Sequence, residues 1–206
     1  RLATLAGAIY TLQAFALFLA LEEVPAAFAS LVLFTYPIIV AVAGVLFLGR
    51  QASRLQVIGL ILSVMGTALL VGGISVTANW ALAAAFAAPF LYAGYLLLTE
   101  RMSSRMPPLT LSAVALLTGG ALLLLLSLFR EGIVISASTE GWMVIIALAL
   151  VPMVGIPALV AGLARLGATS AAIISTAEPA ITVCLAALIL SETIGTSQIV
   201  GGAFVL

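Results

Sequence analysis

Residues 168–190 read ATSAAIISTAEPAITVCLAALIL. This is an apolar run long enough to cross about 30 Å of hydrocarbon as a helix. One charge, Glu178, lies near its middle, and Pro179 follows directly. A charged side chain at that depth costs roughly 2.5–3.5 kcal/mol on insertion scales, so it normally faces a cavity or a partner. Ala171, Ser175 and Thr182 stand seven, three and four residues away and share its helical face as a small, polar stripe. Pro179 has no N–H to give the carbonyl of Ser175, so the helix is expected to bend there.

The rest of the chain has the same character. Of 206 residues, 65% are apolar and 7% charged, against about 25% charged in an ordinary soluble domain, and the mean hydropathy is +1.38. The charges are seven Arg and seven Glu, with no Lys, Asp or His, and there is one Cys. This inventory argues against a zinc site, a Ser-His-Asp triad, a P-loop lysine, a basic nucleic-acid surface and an internal disulfide. No metal and no cofactor are expected.

Counting apolar runs outward gives eight segments: 2–21, 25–48, 55–76, 80–99, 107–129, 141–163, 168–190 and one opening near 194. Seven are long enough to span, and the eighth is cut short by the chain end. The runs lack the period-2 alternation of a barrel strand, which favours helices. The expected fold is therefore an all-α integral membrane protein. Six of the seven Arg (Arg1, Arg50, Arg54, Arg101, Arg105 and Arg165) fall on one side of these segments. Only Arg130 falls on the other. The positive-inside rule places the six-Arg side in the cytoplasm.

Sliding the chain by 142 residues sets Pro37 on Pro179, Gln56 on Gln198 and Gly59 on Gly201; eleven of the 44 positions from 16 to 59 are identical. The shift spans five helices, an odd number, so the copies cross the membrane in opposite senses. Inverted repeats of this kind mark secondary transporters, whose site lies near the midplane between the halves. If each unit has five helices, two precede Arg1, and the chain is an internal piece of a ten-helix (5+5) protein.

The stretches ALEEVPAAFASLVLFTYPIIVAVAGVLFLGRQASRLQVIGLILSVMGTALLVG and GLARLGATSAAIISTAEPAITVCLAALILSETIGTSQIVGGAFVL resemble the closing part of an EamA-like repeat of the drug/metabolite transporter superfamily. The resemblance rests on a mid-span Pro (Pro37, Pro179), a short turn (Leu48-Gly49; Leu190-Ser191-Glu192), and a helix opening near Gln and Gly (Gln56, Gly59; Gln198, Gly201). Arg50 stands where that family usually carries Glu. The resemblance implies residues 1–76 as the last three helices of one repeat and 80–206 as a second, truncated repeat. It also implies movement of small organic solutes.

Candidate solute-binding residues are Glu178, Tyr36, Tyr10, Gln13, Tyr92, Ser175 and Thr182. Tyr36 is the repeat counterpart of Glu178. Tyr10 and Gln13 share a face of the first segment, and Tyr92 shares one with Tyr95 and Thr99 just after Pro89. Pro37, Pro179, Pro152 and Pro157 are candidate hinges. Every Arg sits at a segment end, so Glu178 is expected to be neutral or paired with a cationic solute. The reading is alternating access, with protons as a further partner of Glu178 and the bilayer, in a bacterial inner membrane, as the solvent. A membrane enzyme is not expected, because its catalytic groups would usually come from His, Asp or Lys and all three are lacking; a channel and a non-transporting scaffold are the other rival readings, and the oligomeric state is left open. Gly59, Ser63 and Gly66 read as a helix-packing stripe, Cys184 as buried filler, and Glu192 as a charge at a helix start.

Overall fold

The computed structural model describes residues 1–51, 53–71, 79–130, 138–190 and 196–205. They form ten helices: α1 (Leu2–Leu21), α2 (Ala26–Leu33), α3 (Tyr36–Leu48), α4 (Arg54–Val71), α5 (Trp80–Ser103), α6 (Pro108–Arg130), α7 (Thr139–Leu166), α8 (Ala168–Ser175), α9 (Ala177–Leu190) and α10 (Thr196–Val205). The second and seventh apolar runs are each two helices rather than one. Among the described residues, six runs are long and apolar enough to cross a membrane, and Arg54–Leu69 is a shorter apolar helix. The third sequence segment therefore falls short of a full span within the described residues, and Ser191 and Glu192 lie outside them.

Local chemistry sets the helix ends. Asn79 Oδ1 accepts from Leu82 N–H at 3.1 Å to start α5, and Ser138 Oγ accepts from Gly141 N–H at 3.2 Å to start α7. α4 opens on a reciprocal capping box: Gln56 N–H donates to Ser53 Oγ, and Ser53 N–H donates to Gln56 Oε1. α3 ends at Gly49, whose φ of 62° lies in the left-handed region, and Arg50 N–H reaches back to the Gly44 carbonyl at 3.1 Å. Glycine occupies that position without a Cβ penalty.

The two breaks have one cause. A proline inside a helix removes a hydrogen bond and clashes with the preceding turn, but in a first turn it costs nothing. Interrupting the run at Phe34-Thr35 places Pro37 in the first turn of α3, and interrupting it at Thr176 does the same for Pro179 in α9. At both breaks the chain tightens to i→i−3 bonds, Thr35 N–H to the Val32 carbonyl and Thr176 N–H to the Ile173 carbonyl, each 3.1 Å. α7, by contrast, runs through Pro152 and Pro157 as one helix of 28 residues.

α1 packs on α5 and α6, α3 on α5 and α8, α4 on α10, and α7 on α5, α6 and α8. Small residues permit these approaches. A Cβ at Gly7 would lie 2.8 Å from the Ala115 carbonyl oxygen, and one at Gly119 would lie 2.9 Å from Thr11 Oγ1, so α1 and α6 meet nearly backbone to backbone. Ala85, Ala88 and Ala168 are fully buried. The outer faces carry Phe47, Leu55 and Leu188, each more than 80% exposed. Apolar outside and small or polar inside is the pattern of a helix bundle solvated by lipid. Cys184, read from sequence as buried, is exposed on this outer surface; an apolar run alone does not tell a lipid-facing position from a core one.

Candidate functional site

All four tyrosines of the sequence meet at the centre of the bundle. Tyr10 (α1) lies 5.1 Å from Tyr95 (α5), ring centre to ring centre, and Tyr36 (α3) meets Tyr92 (α5) edge-on at 4.6 Å. Tyr92 and Tyr95 stack at 6.0 Å. Each such pair adds about 0.5–1.5 kcal/mol beyond area burial. Tyr36 sits at the α2–α3 break and is 2% exposed; its hydroxyl donates across the molecule to the Ala172 carbonyl of α8 at 3.4 Å. Ser175 lies beside the same hydroxyl. The hydroxyl of Tyr95 is buried without a hydrogen-bond partner, an acceptor and donor left open in the core.

Glu178 stands at the other break, beside this cluster. It occupies the first turn of α9, and its charge lies within electrostatic range of Tyr10, Tyr36 and Tyr92. Its side chain is exposed, at the edge of the packed tyrosine cluster. Thr182 is also exposed, and its hydroxyl donates back to the Glu178 carbonyl at 2.9 Å. Its proton is therefore engaged with its own helix. Gln13 is buried on α1 and joins the tyrosines by helical register alone. Of the candidate hinges, Pro37 and Pro179 lie at the breaks, while Pro152 and Pro157 lie within the unbroken α7.

The second break is also tied to the first half of the chain. Thr176 Oγ1 and Ser63 Oγ lie 2.9 Å apart, and Thr176 Oγ1 also contacts the Ile173 carbonyl. A hydroxyl has one proton, so the Ser63 hydroxyl donates to Thr176 and Thr176 donates to Ile173. Thr67 hydroxyl donates to the Ser63 carbonyl, and Gly59 accepts Ile173 where a Cβ would lie 3.4 Å away. The small-residue stripe of α4 is thus the surface on which α8 rests. Thr176→Val is expected to leave the buried Ser63 hydroxyl without an acceptor and to lower stability by about 1–3 kcal/mol. Thermal unfolding in detergent checks this, with Thr67→Val as the comparison that keeps the cross-helix bond.

The family model of the EamA-like transporter family matches residues 1–72 and 79–206, nearly the whole chain. The chain belongs to that family. It is 29% identical over 196 residues to a protein of Synechocystis described as an uncharacterized transporter. That match takes in 90% of this chain and 58% of the relative, so the chain spans little more than half of that relative's length. A protein of known crystal structure shares the fold at a TM-score of 0.80, with 18% identity, over 99% of this chain and 82% of the other. This EamA-family chain is accordingly a multi-pass membrane protein.

Sequence reasoning missed one polar group of this EamA bundle. Arg50 Nη2 lies 2.9 Å from Glu100 Oε2, joining the end of α3 to the end of α5. Glu100 followed by Arg101 reads in sequence as an ordinary interfacial charge, and nothing in the spacing couples position 50 to position 100. The departure at Arg50 was the available signal: a cation where the family usually carries an acid asks for a new partner.

Proposed function

We propose that this protein is a secondary transporter that moves small organic solutes by alternating access between two inverted copies of one helical unit. The observation that supports the reading is the placing of two mid-run helix breaks beside one tyrosine cluster, with Tyr36 and Glu178 at positions that the 142-residue shift relates. The shift of 142 residues that aligns the sequence carries Ala26–Leu33 onto Ala168–Ser175, and the α4 start onto the α10 start. Helices broken near the bilayer midplane are a recurrent way of exposing backbone groups to a transported solute. Residues 1–76 and 80–206 are read as the two copies, and α4 packing against its counterpart α10 fits an axis between them.

Four tyrosines offer ring faces and hydroxyls, and Glu178 offers a negative charge with no Arg inside the spans. That combination fits an amphipathic solute bearing an amine or other cation, held by ring faces and by the carboxylate. Glu178 is also the group proposed to exchange a proton as the solute leaves. The surroundings are proposed to be a bacterial inner membrane, with the Arg-rich end in the cytoplasm. Counterflow in proteoliposomes tests the carrier mechanism: a radiolabelled cationic amphiphile accumulates against preloaded unlabelled solute if the chain is a carrier. Uptake indifferent to preloading would point to a channel, and no solute movement of any class to a scaffold.

A further inference from the structure

We propose that the Arg50–Glu100 ion pair is a latch that closes the Arg-rich end of the transport path and opens once in each cycle. The inference rests on alternating access, and it concerns residues outside the solute chamber.

The geometry of the pair is built from both halves of the chain. Arg50 follows the left-handed Gly49 that ends α3, and Glu100 lies in the last turn of α5. Glu100 is 14% exposed and Arg50 39% exposed at the side chain. Gly167, at the α7–α8 turn with φ 79°, closes over the pair: a Cβ there would lie 3.0 Å from Glu100 Oε1. A second tie runs alongside, from Gln56 Nε2 to Ser170 Oγ at 3.2 Å. The ends of α3, α4, α5 and α8 are therefore drawn together at one place.

Two surface pockets share this pair as lining. One of 250 Å³ is lined by Ala41, Gln56 and Thr169 as well as by both charges. The other, of 570 Å³, is lined by Phe47, Leu98 and Arg101 as well as by both charges. Arg50 and Glu100 are thus common to both pockets. The smaller pocket lies about one helical turn from the tyrosine cluster, because Ala41 follows Pro37 on α3 and Thr169 precedes Ala172 on α8. Parting the pair frees the end of α3 from the end of α5 and loosens the bundle on the Arg-rich side of Tyr36. A partly exposed pair suits this role, because it contributes little net stability and breaks without a large barrier. Arg101 faces the larger cavity, so removal of the Glu100 charge leaves two guanidinium groups there with their mutual repulsion.

The test reads chamber access with no solute present, so its outcome is separate from that of the transport assay. Ser175→Cys in a Cys184→Ser background is labelled in sealed, oriented vesicles by a membrane-impermeant methanethiosulfonate applied to the Arg-rich side. Glu100→Gln and Arg50→Gln are expected to speed labelling by about fivefold, the factor carried by a pair of this exposure. The exchange Arg50→Glu with Glu100→Arg is expected to restore the slow rate. A second variant, Arg50→Cys with Glu100→Cys in the same background, is expected to label more slowly at position 175, read by peptide mass spectrometry, with the 50–100 disulfide formed than after its reduction by dithiothreitol and removal of the reductant before the reagent is added. Unchanged labelling in the single variants, an exchanged pair as fast as the single variants, or a disulfide without effect would overturn the latch. Labelling from neither side in any variant would overturn the latch and alternating access together.

Discussion

Glu178→Gln is expected to reduce transport of a cationic amphiphile by about 10- to 100-fold, the loss from removing one charged partner worth roughly 1.5–3 kcal/mol. The helix should survive the change. Glu178 is exposed at the first turn of α9, and its backbone carbonyl, not its carboxylate, is what Thr182 holds. Gln keeps the size and a hydrogen-bonding amide while removing both the charge and the exchangeable proton. Two readouts separate the roles. If the carboxylate only anchors the solute, counterflow weakens and accumulation driven by a proton gradient persists. If it also carries the proton, counterflow persists at saturating solute while proton-driven accumulation disappears. Transport and pH profile both equal to the parent would remove Glu178 from the site.

Gly7→Leu is expected to be the most damaging single change to the fold. Even the first carbon of a side chain at Gly7 meets the Ala115 backbone at 2.8 Å (O) and 2.9 Å (Cα), and Thr118 Cβ at 3.0 Å. Backbone atoms cannot turn aside as a flexible side chain does. α1 must therefore move away from α6, and its contacts with α5 go with it. Overpacking typically costs about 1–3 kcal/mol, and a clash against backbone falls at or above the upper end. Gly94, where an added Cβ meets nothing within 4 Å, is the control: Gly94→Ala should leave thermal stability and monodispersity in detergent unchanged. Equal melting behaviour for Gly7→Leu and the parent would show that the α1–α6 contact is looser than described.

The sequence exposed the parts of this fold that repeat or that cost free energy. Apolar runs gave the helical segments, because lipid requires long stretches without charge. Pro37 and Pro179 marked where two of them would yield, because proline leaves its mark at a predictable offset. The side chains that converge were harder to read. Tyr10 and Tyr92 were legible as candidates only through helix register, and their meeting with Tyr36 and Tyr95 depends on how α1, α3 and α5 cross. The Arg50–Glu100 pair was not legible, since a contact across 50 positions leaves no periodic trace. Nor was the inward or outward direction of Cys184 or Thr182, because in a membrane both the core and the surface are apolar.

The Ser63–Thr176 hydrogen bond has no twin. Under the shift that relates the two halves, Thr176 falls on Phe34 and Ser63 on Val205, neither of which has a hydroxyl. On the two-copy reading, the conformation facing one compartment keeps a bond that its mirror image lacks, worth about 0.5–1.5 kcal/mol. An idle carrier would then rest several-fold more often on one side than the other. Its apparent affinity for solute would differ between the two membrane faces even with identical chamber walls, an intrinsic rectification set by one threonine.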